Sequence, residues 1–334
     1  FLSLTQDGEC KVPILDVRSP GEFTLGHIPG AHSLPLFTNE ERAEVGTAYC
    51  RKSREAAVSI GMKYVSPKMG SLVAAAKSIL ASSNQENACD NPQLAVHCWR
   101  GGMRSGAVAW LLRRHGLRVV ILAGGYKAFR SWVLGYWGGL AMPRRKEKLS
   151  PKDGKDGQST SSTVDSDKGE APMDMISAAQ ALPGPRICVV GGRTGVGKTR
   201  VLHALRDHYG KRILDLEGLA RHRGSTFGWV GQGEQPSSEH VGNVLAVTWR
   251  ALALESEHRS EGRGWMFIED EDDHIGNVTL PQGVYAALRC APLVVRMQIG
   301  EKARVRILLE DYCSPEAQGD DPSAWMEGME ASVR

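Results

Sequence analysis

The chain has 334 residues, of which 41% are hydrophobic and 24% are charged, and its formal net charge is +3. This length and composition predict a globular protein with two cores, and they exclude a wholly disordered chain. No apolar run reaches the roughly 18 residues of a membrane span, so we expect no membrane partner. The small charge does not by itself require a nucleic-acid partner.

The seven cysteines are odd in number, widely spaced and free of C-x-x-C pairs. This spacing argues against a disulfide framework and against a zinc site, and it favours a reducing compartment. We therefore expect a cytoplasmic protein. Because the sequence begins at Phe1 rather than at Met, an organellar protein with a targeting segment stays an open alternative.

The first predicted strand, over residues 13–18, ends in a charged pair, Asp16 and Arg18. We interpret this pair as structural rather than catalytic. The segments Glu22-Phe23 and Gly26–Ala31 follow it.

Cys98 stands between a strand predicted over residues 94–97 and a helix predicted over residues 107–112. Gly101 and Gly102, which follow Cys98 in the sequence, allow the backbone to curl so that its N–H groups point inward and form an anion-binding nest. These N–H groups, the helix dipole and the guanidinium of Arg104 favour a thiolate, so we predict Cys98 and Arg104 as catalytic residues. The predicted anion-binding loop comprises Trp99, Arg100, Gly101, Gly102 and Met103. The alternative is an inert buried cysteine, and His97 is interpreted as a core residue.

These segments, together with the later Leu122–Phe129, resemble a rhodanese domain. The resemblance implies an α/β fold in which the loop cysteine carries a persulfide. We expect this domain to occupy residues 10–142.

The composition changes sharply near residue 143, where a basic run leads into a Ser-, Thr- and Asp-rich stretch with almost no apolar residues. Such a segment cannot bury enough surface to offset the entropy of ordering it. Residues 143–183 are therefore predicted to be a flexible linker, and residues 184–334 a second domain.

A phosphate loop opens the second domain. Residues 192–199 match the pattern G-x-x-x-x-G-K-[ST] at every fixed position, and they follow a strand predicted over residues 186–190. Lys198 supplies a point charge, and Thr199 begins a helix with a hydroxyl that can bind Mg²⁺. The predicted diphosphate ligands are Gly192, Thr194, Gly195, Val196, Gly197, Lys198 and Thr199. We therefore predict two α/β domains, a rhodanese-like parallel sheet followed by a P-loop NTPase-like parallel sheet.

Two later predicted strands end in acidic residues, which in phosphate-loop proteins commonly hold Mg²⁺. The candidate Mg²⁺ ligands are Thr199, Asp215, Glu217, Glu269 and Asp270. We interpret the acidic residues 271–273 as a solvated turn. A basic cluster, Arg221, His222 and Arg223, follows the first of the acidic pairs.

A rhodanese domain joined to a phosphate-loop domain that carries Asp215–Ser225 resembles the tRNA 2-selenouridine synthases. The resemblance extends from about residue 12 to about residue 313 and includes Glu41–Thr47 and Glu269-Asp270 with Ile275-Gly276. The long segment 143–183 and the end at Arg334 depart from the family, whose members continue with a further, largely helical region. We therefore expect the phosphate-loop domain to be C-terminally truncated.

The resemblance implies a selenium-transferring transferase that converts wobble 2-thiouridine in tRNA to 2-selenouridine through an S-geranyl intermediate. Its co-substrates would be geranyl diphosphate on the 192–199 loop and selenophosphate on the Cys98 loop. The implied partners are the tRNA anticodon region, contacted by Arg221, His222 and Arg223, and an enzyme that supplies selenophosphate.

Other readings of the residues stay open. The chain is compatible with a rhodanese-type sulfurtransferase, with a Cys-x5-Arg phosphatase bearing a nucleotide-binding regulatory domain, and with a nucleotide-dependent regulator or kinase.

Overall fold

The computed structural model describes residues 12–87, 93–137, 186–257 and 264–313, together with residue 326. The predicted linker, residues 143–183, lies outside the described residues. Residues 10–11 of the first predicted domain and most of residues 314–334 of the second also lie outside them.

The first half of the chain forms a four-stranded parallel sheet. Its strands are β1 (Ile14–Asp16), β2 (Ala31–Ser33), β3 (Leu94–His97) and β4 (Val119–Ile121), in the order β2-β1-β3-β4. Its helices are α1 (Pro20–Leu25), α2 (Asn39–Arg51), α3 (Arg54–Val65), α4 (Met69–Asn87), α5 (Met103–Arg114) and α6 (Gly125–Tyr136). All three strand pairings are parallel, and β3 lies in the middle with every residue buried. This position places Cys98 at the carboxyl end of a central strand, where α/β proteins bind ligands.

The second half forms a separate parallel sheet. Its strands are β5 (Arg186–Gly191), β6 (Arg212–Leu214), β7 (Trp265–Glu269) and β10 (Leu293–Arg296), in the order β10-β5-β7-β6, with β8 (His274–Ile275) and β9 (Val278–Thr279) forming a small antiparallel pair. Its helices are α7 (Lys198–Tyr209), α8 (Leu216–Ala220), α9 (Ser238–Glu257), α10 (Gln282–Arg289) and α11 (Glu301–Cys313). The predicted fold class, two α/β units with parallel sheets, is confirmed.

The two halves share part of their hydrophobic core. One buried cluster lies entirely within the first half, between its sheet and helices α3 to α5. The other joins α6 of the first half to α9 of the second, where Trp137 packs edge-on against Trp249 with ring centroids 5.8 Å apart. The described residues thus form two buried clusters, and the second is shared between the halves because α9 covers part of the apolar face of α6.

Among the described residues, no helix combines the length and the apolar character that crossing a membrane would require.

Candidate active site

The Cys98 thiol lies at the end of β3, facing the first turn of α5. Its Sγ atom is 3.4 Å from the Ser105 hydroxyl, and the side chain is 4% exposed. Burial raises the pKa of the thiol, but hydrogen bonds from the Ser105 hydroxyl and from the backbone N–H groups of Ser105, Arg100 and Gly102 more than offset it. The net result is a pKa below the ordinary thiol value, which increases the fraction of nucleophilic thiolate.

The turn Leu122–Gly125 and the first residues of α6 lie against the Cys98 loop and hydrogen-bond to it. The Tyr126 N–H donates to the Cys98 carbonyl at 3.0 Å, and the Lys127 N–H donates to the Trp99 carbonyl at 2.8 Å. Gly125 has a φ of +56°, and a Cβ atom there would collide with the Cys98 carbonyl. The sequence contains this turn as a glycine pair, but it does not reveal that the turn holds the Cys98 loop.

Arg104 is bound by Glu22, a carboxylate for which the sequence predicted no role. Its Nη1 and Nη2 atoms donate to Glu22 at 2.7 and 3.3 Å. Burial lowers the pKa of Arg104, whereas hydrogen bonding and charge from Glu22, and then the charge of Cys98, raise it, with a net rise. The guanidinium therefore lies within electrostatic range of the thiol, but any anion on the loop shares it with Glu22. The available signal was the capping box that places Glu22 in the first turn of α1.

The Asp16–Arg18 pair is fully enclosed, which fits the structural role expected for it. Arg18 Nη2 donates to Asp16 at 2.6 Å and to the Gly26 carbonyl at 2.7 Å. The guanidinium also stacks on Tyr126, 3.8 Å from the ring centroid. His97 is fully buried beside this pair, and burial lowers its pKa. The ion pair thus joins the strand end to the base of α6.

In the phosphate loop, Lys198 begins α7 and contacts a buried carboxylate. Its Nζ atom is 3.1 Å from Glu271, which is 8% exposed. Burial lowers the pKa of Lys198, but the charge and hydrogen bond of Glu271 outweigh this effect, so the net pKa is raised and the amine stays protonated. The interpretation of Glu271 as part of a solvated turn is wrong, because the chain after β7 folds back onto the loop.

Two of the four predicted strand-end carboxylates converge on Thr199. Its hydroxyl lies 3.2 Å from Glu217 and 3.4 Å from Glu269, and the Glu217 N–H donates to Glu269 at 2.6 Å. Burial and the charge of Glu271 raise the pKa of Glu217 to about 7. Burial, followed by the charge of Glu217, raises the pKa of Glu269 well above its ordinary range.

The other two candidate Mg²⁺ ligands are used elsewhere, which corrects the sequence-based expectation. Asp215 caps α8 by accepting from the Gly218 N–H at 2.7 Å, and it binds His203 at 2.8 Å. Asp270 forms an ion pair with Arg289.

The donor set at Thr199 is suited to Mg²⁺ bound together with a phosphate. In the described part of the chain, no group of three or more His, Cys, Asp or Glu side chains could hold a metal ion. Mg²⁺, however, is usually held by one or two carboxylates plus substrate phosphates rather than by an all-protein cage. Glu217, Glu269 and the Thr199 hydroxyl match this arrangement, and the raised pKa values mark crowded negative charge that a cation would relieve.

The structure separates the three residues of the predicted basic cluster. Arg221 is exposed, with a φ of +49°, at the end of α8. Arg223 is partly buried and lies over the Tyr312 ring, 5.1 Å from its centroid. His222 is 8% exposed, and burial lowers its pKa. The expectation that His222 belongs to an accessible basic surface is therefore corrected, because its ring packs inside the domain.

Comparison with known proteins matches both halves of the chain. Residues 2–131 match the rhodanese-like domain, and residues 185–328 match the tRNA 2-selenouridine synthase AAA domain. A solved structure of the N-terminal domain of an ATP/GTP-binding protein from Clostridium difficile 630 is 38% identical, covers 37% of this chain and 91% of that chain, and has a TM-score of 0.34. With so low a TM-score, the fold assignment rests on the sheet order given above.

Three curated relatives are each named tRNA 2-selenouridine synthase. The proteins from Nitrosomonas europaea, Hydrogenovibrio crunogenus and Bordetella bronchiseptica are 32%, 30% and 33% identical to this chain. Each match covers 90% of this chain, which in turn spans 63%, 68% and 65% of these relatives. These matches run through both the Cys98 loop and the phosphate loop, and we conclude that the chain belongs to the tRNA 2-selenouridine synthase family.

Proposed function

We propose that this chain converts 2-thiouridine at the wobble position of tRNA to 2-selenouridine through an S-geranyl intermediate. The main support is that one packed unit carries two glycine-containing loops of different chemistry, each beside a cationic side chain. One holds the Cys98 thiol at a lowered pKa, and the other holds the protonated Lys198 beside Thr199. A two-step reaction that uses two phosphorylated co-substrates needs two such sites.

In the first step, the sulfur of 2-thiouridine attacks the first carbon of geranyl diphosphate, and the carbon–oxygen bond to diphosphate breaks. The backbone N–H groups of residues 192–199 and the Lys198 amine bind the diphosphate and stabilise the charge that develops on it. Mg²⁺, when bound, would supply further neutralisation of that charge. Thr199, Glu217 and Glu269 are the residues that would hold it.

In the second step, the selenium of selenophosphate attacks C2 of the S-geranyl nucleoside, geranylthiolate leaves, and water cleaves the selenium–phosphorus bond to release phosphate. We assign this step to the Cys98 loop, where the N–H groups of Arg100 and Gly102 face the thiol. These donors and Arg104 would bind the phosphate-like part of selenophosphate. Trp99 and Met103 are exposed on the same loop, so substrate has access to it.

The tRNA anticodon region is the proposed macromolecular partner, and Arg221 is the exposed member of the predicted basic cluster. An enzyme that makes selenophosphate is a second proposed partner. Because Cys98 acts as a free thiol, we propose a reducing compartment, the cytoplasm, for the reaction.

The test is reconstitution with thiolated tRNA, geranyl diphosphate and selenophosphate, followed by mass spectrometry of the wobble nucleoside. We expect 2-selenouridine from the parent protein. Cys98→Ser should accumulate S-geranyl-2-thiouridine without selenium, whereas Cys50→Ser, at an exposed cysteine, should behave like the parent. Full 2-selenouridine formation by Cys98→Ser would remove Cys98 from the mechanism. If the parent instead consumes a nucleoside triphosphate and leaves geranyl diphosphate unused, the proposed function is wrong.

A further inference from the structure

A large cavity opens directly beside the phosphate loop. Its volume is about 970 Å³, which is within the range of small-molecule sites. One wall is the segment after α8, and the other is helix α11. The apolar side chains that line it are Phe227, Ile275, Val305, Leu308, Leu309 and Tyr312.

One end of the cavity reaches the phosphate site. Thr194 of the phosphate loop lines this end, and so does Glu271, the partner of Lys198. If the phosphates of a ligand bind to the loop, the rest of the ligand therefore extends into the cavity between α8 and α11.

Helix α11 is fitted closely to the phosphate loop. A Cβ atom at Gly195 would lie 2.6 Å from Leu308 Cγ, so only glycine permits this approach. Arg304 donates to the Thr194 carbonyl at 3.3 Å, and the hydroxyls of Tyr312 and Ser225 are 2.6 Å apart. These contacts make α11 a wall that is continuous with the loop.

The lining combines these apolar side chains with polar ones, among them His222, Thr226, Asp272 and His274, and the apolar part offers a surface for a hydrocarbon chain. The aromatic rings of Phe227 and Tyr312 lie edge to face, with centroids 6.5 Å apart. The Ser225 hydroxyl, which could contact a nucleobase, is already bound to Tyr312. The apolar walls stabilise an apolar chain by about 25 cal/mol for each Å² removed from water.

We propose that this cavity binds the isoprenoid chain of the diphosphate donor and that α11 is the wall that selects it. The inference rests on the proposed function, since it concerns the second half of the same co-substrate. It assigns the apolar chain to named residues, with Val305 and Leu309 on the α11 side and Phe227 opposite.

The test compares three probes on the full chain by calorimetry: geranyl diphosphate, inorganic diphosphate and ATP. We expect the parent to bind geranyl diphosphate at least tenfold more tightly than inorganic diphosphate. Val305→Trp places a large ring in the cavity and should lower the affinity for geranyl diphosphate at least tenfold. Its affinity for inorganic diphosphate should stay within twofold of the parent value. Ala303→Trp is the matched control, because Ala303 is exposed on the same helix and does not line the cavity.

Retained binding of inorganic diphosphate also reports that each variant is folded. The inference is overturned if Val305→Trp binds geranyl diphosphate like the parent, or if ATP binds more tightly than geranyl diphosphate and loses affinity in Val305→Trp. Failure of the proposed function gives a different result. The parent would then not geranylate tRNA, even though its affinity for geranyl diphosphate depends on the isoprenoid chain. Geranylation that depends on Lys198 but is insensitive to Val305→Trp would overturn the inference alone.

Discussion

The Tyr126 hydroxyl donates to Glu239 at 2.6 Å, and this bond joins the two halves of the chain directly behind the Cys98 loop. Asn243 donates to the same hydroxyl at 2.8 Å and to the His27 carbonyl at 3.1 Å. Burial, and then the hydrogen bond to Glu239, raise the pKa of Tyr126 above its ordinary value, so the hydroxyl stays neutral. The Tyr126 N–H also donates a hydrogen bond to the Cys98 carbonyl. Tyr126 therefore connects the Cys98 loop to α9 in the second half of the chain.

Tyr126→Phe should destabilise the whole protein. The change deletes the shared hydroxyl, so Glu239 loses this donor and Asn243 loses one of its two acceptors, at a cost of about 1–3 kcal/mol. The free energy of unfolding in urea measures the effect. Tyr209→Phe, at a tyrosine that is exposed on α7, is the matched control and should change little. Equal stability of the two variants would show that the network does not hold the halves together.

The reactivity of Cys98 should extend to lower pH than that of an ordinary thiol. Because the hydrogen bonds from Ser105 and the loop N–H groups lower its pKa, its thiolate forms at lower pH and is alkylated there. Ser105→Ala removes the strongest of these donors, so the midpoint of the alkylation profile should move to higher pH. Alkylation by iodoacetamide, followed by peptide mass spectrometry, gives the pH profile of the alkylation rate for Cys98 and for the exposed Cys50 in one experiment. Coincident profiles for Cys98 and Cys50 would contradict the prediction.

Lys198→Ala should block geranyl transfer, because the leaving diphosphate loses its nearest cation, at about 2–4 kcal/mol in the barrier. The variant also leaves Glu271 buried without its partner. Combining it with Glu271→Gln separates the two effects, since the double variant should recover stability but not geranylation. Geranylation of thiolated tRNA and thermal unfolding are measured in parallel. Unchanged geranylation in Lys198→Ala would show that the loop serves another ligand.

Arg221→Ala should weaken tRNA binding and flatten its salt dependence. One lost phosphate contact reduces the slope of log affinity against log salt by about 0.7–0.9. We expect a smaller contribution from Arg223, which is packed on Tyr312. Arg54→Ala, at an exposed arginine on α3, is the control. If the slope of log affinity against log salt is the same for Arg221→Ala, Arg54→Ala and the parent, tRNA does not contact this cluster.

Acid should loosen the contact between α1 and α9. His27 stacks between Phe23 and His240, with ring centroids 3.8 and 3.9 Å away. Burial, and then the charge of His27, lower the pKa of His240 to about 4, and burial lowers that of His27 as well. Because these pKa values lie below the unfolded value of about 6.5, the stabilisation is complete above pH 6.5 and is lost as the pH falls towards 4.

The free energy of unfolding between pH 7.5 and pH 4.5 tests this stack. His240→Gln should lose part of the acid dependence, whereas His208→Gln, at an exposed histidine on α7, should retain it. A parent-like slope in His240→Gln would place the acid sensitivity elsewhere.

Local pattern in the sequence determined much of this protein. The apolar runs before Cys98 and before the phosphate loop predict buried parallel strands, and the glycines and Lys198 that follow define a phosphate loop without any tertiary information. Each signal lies within about ten consecutive residues. Strand, loop and helix are therefore readable in chain order, and so is the parallel-sheet class.

Only the tertiary structure decided which side chains meet. Glu22 reaches Arg104 across 82 residues of chain, and Glu271 reaches Lys198 across 73. Asp215 and Asp270 lie within two residues of Glu217 and Glu269 in sequence but bind His203 and Arg289 instead. The shared core between α6 and α9 has the same origin: which partner covers an apolar helix face depends on how the sheets pack, and helical periodicity alone does not specify that partner.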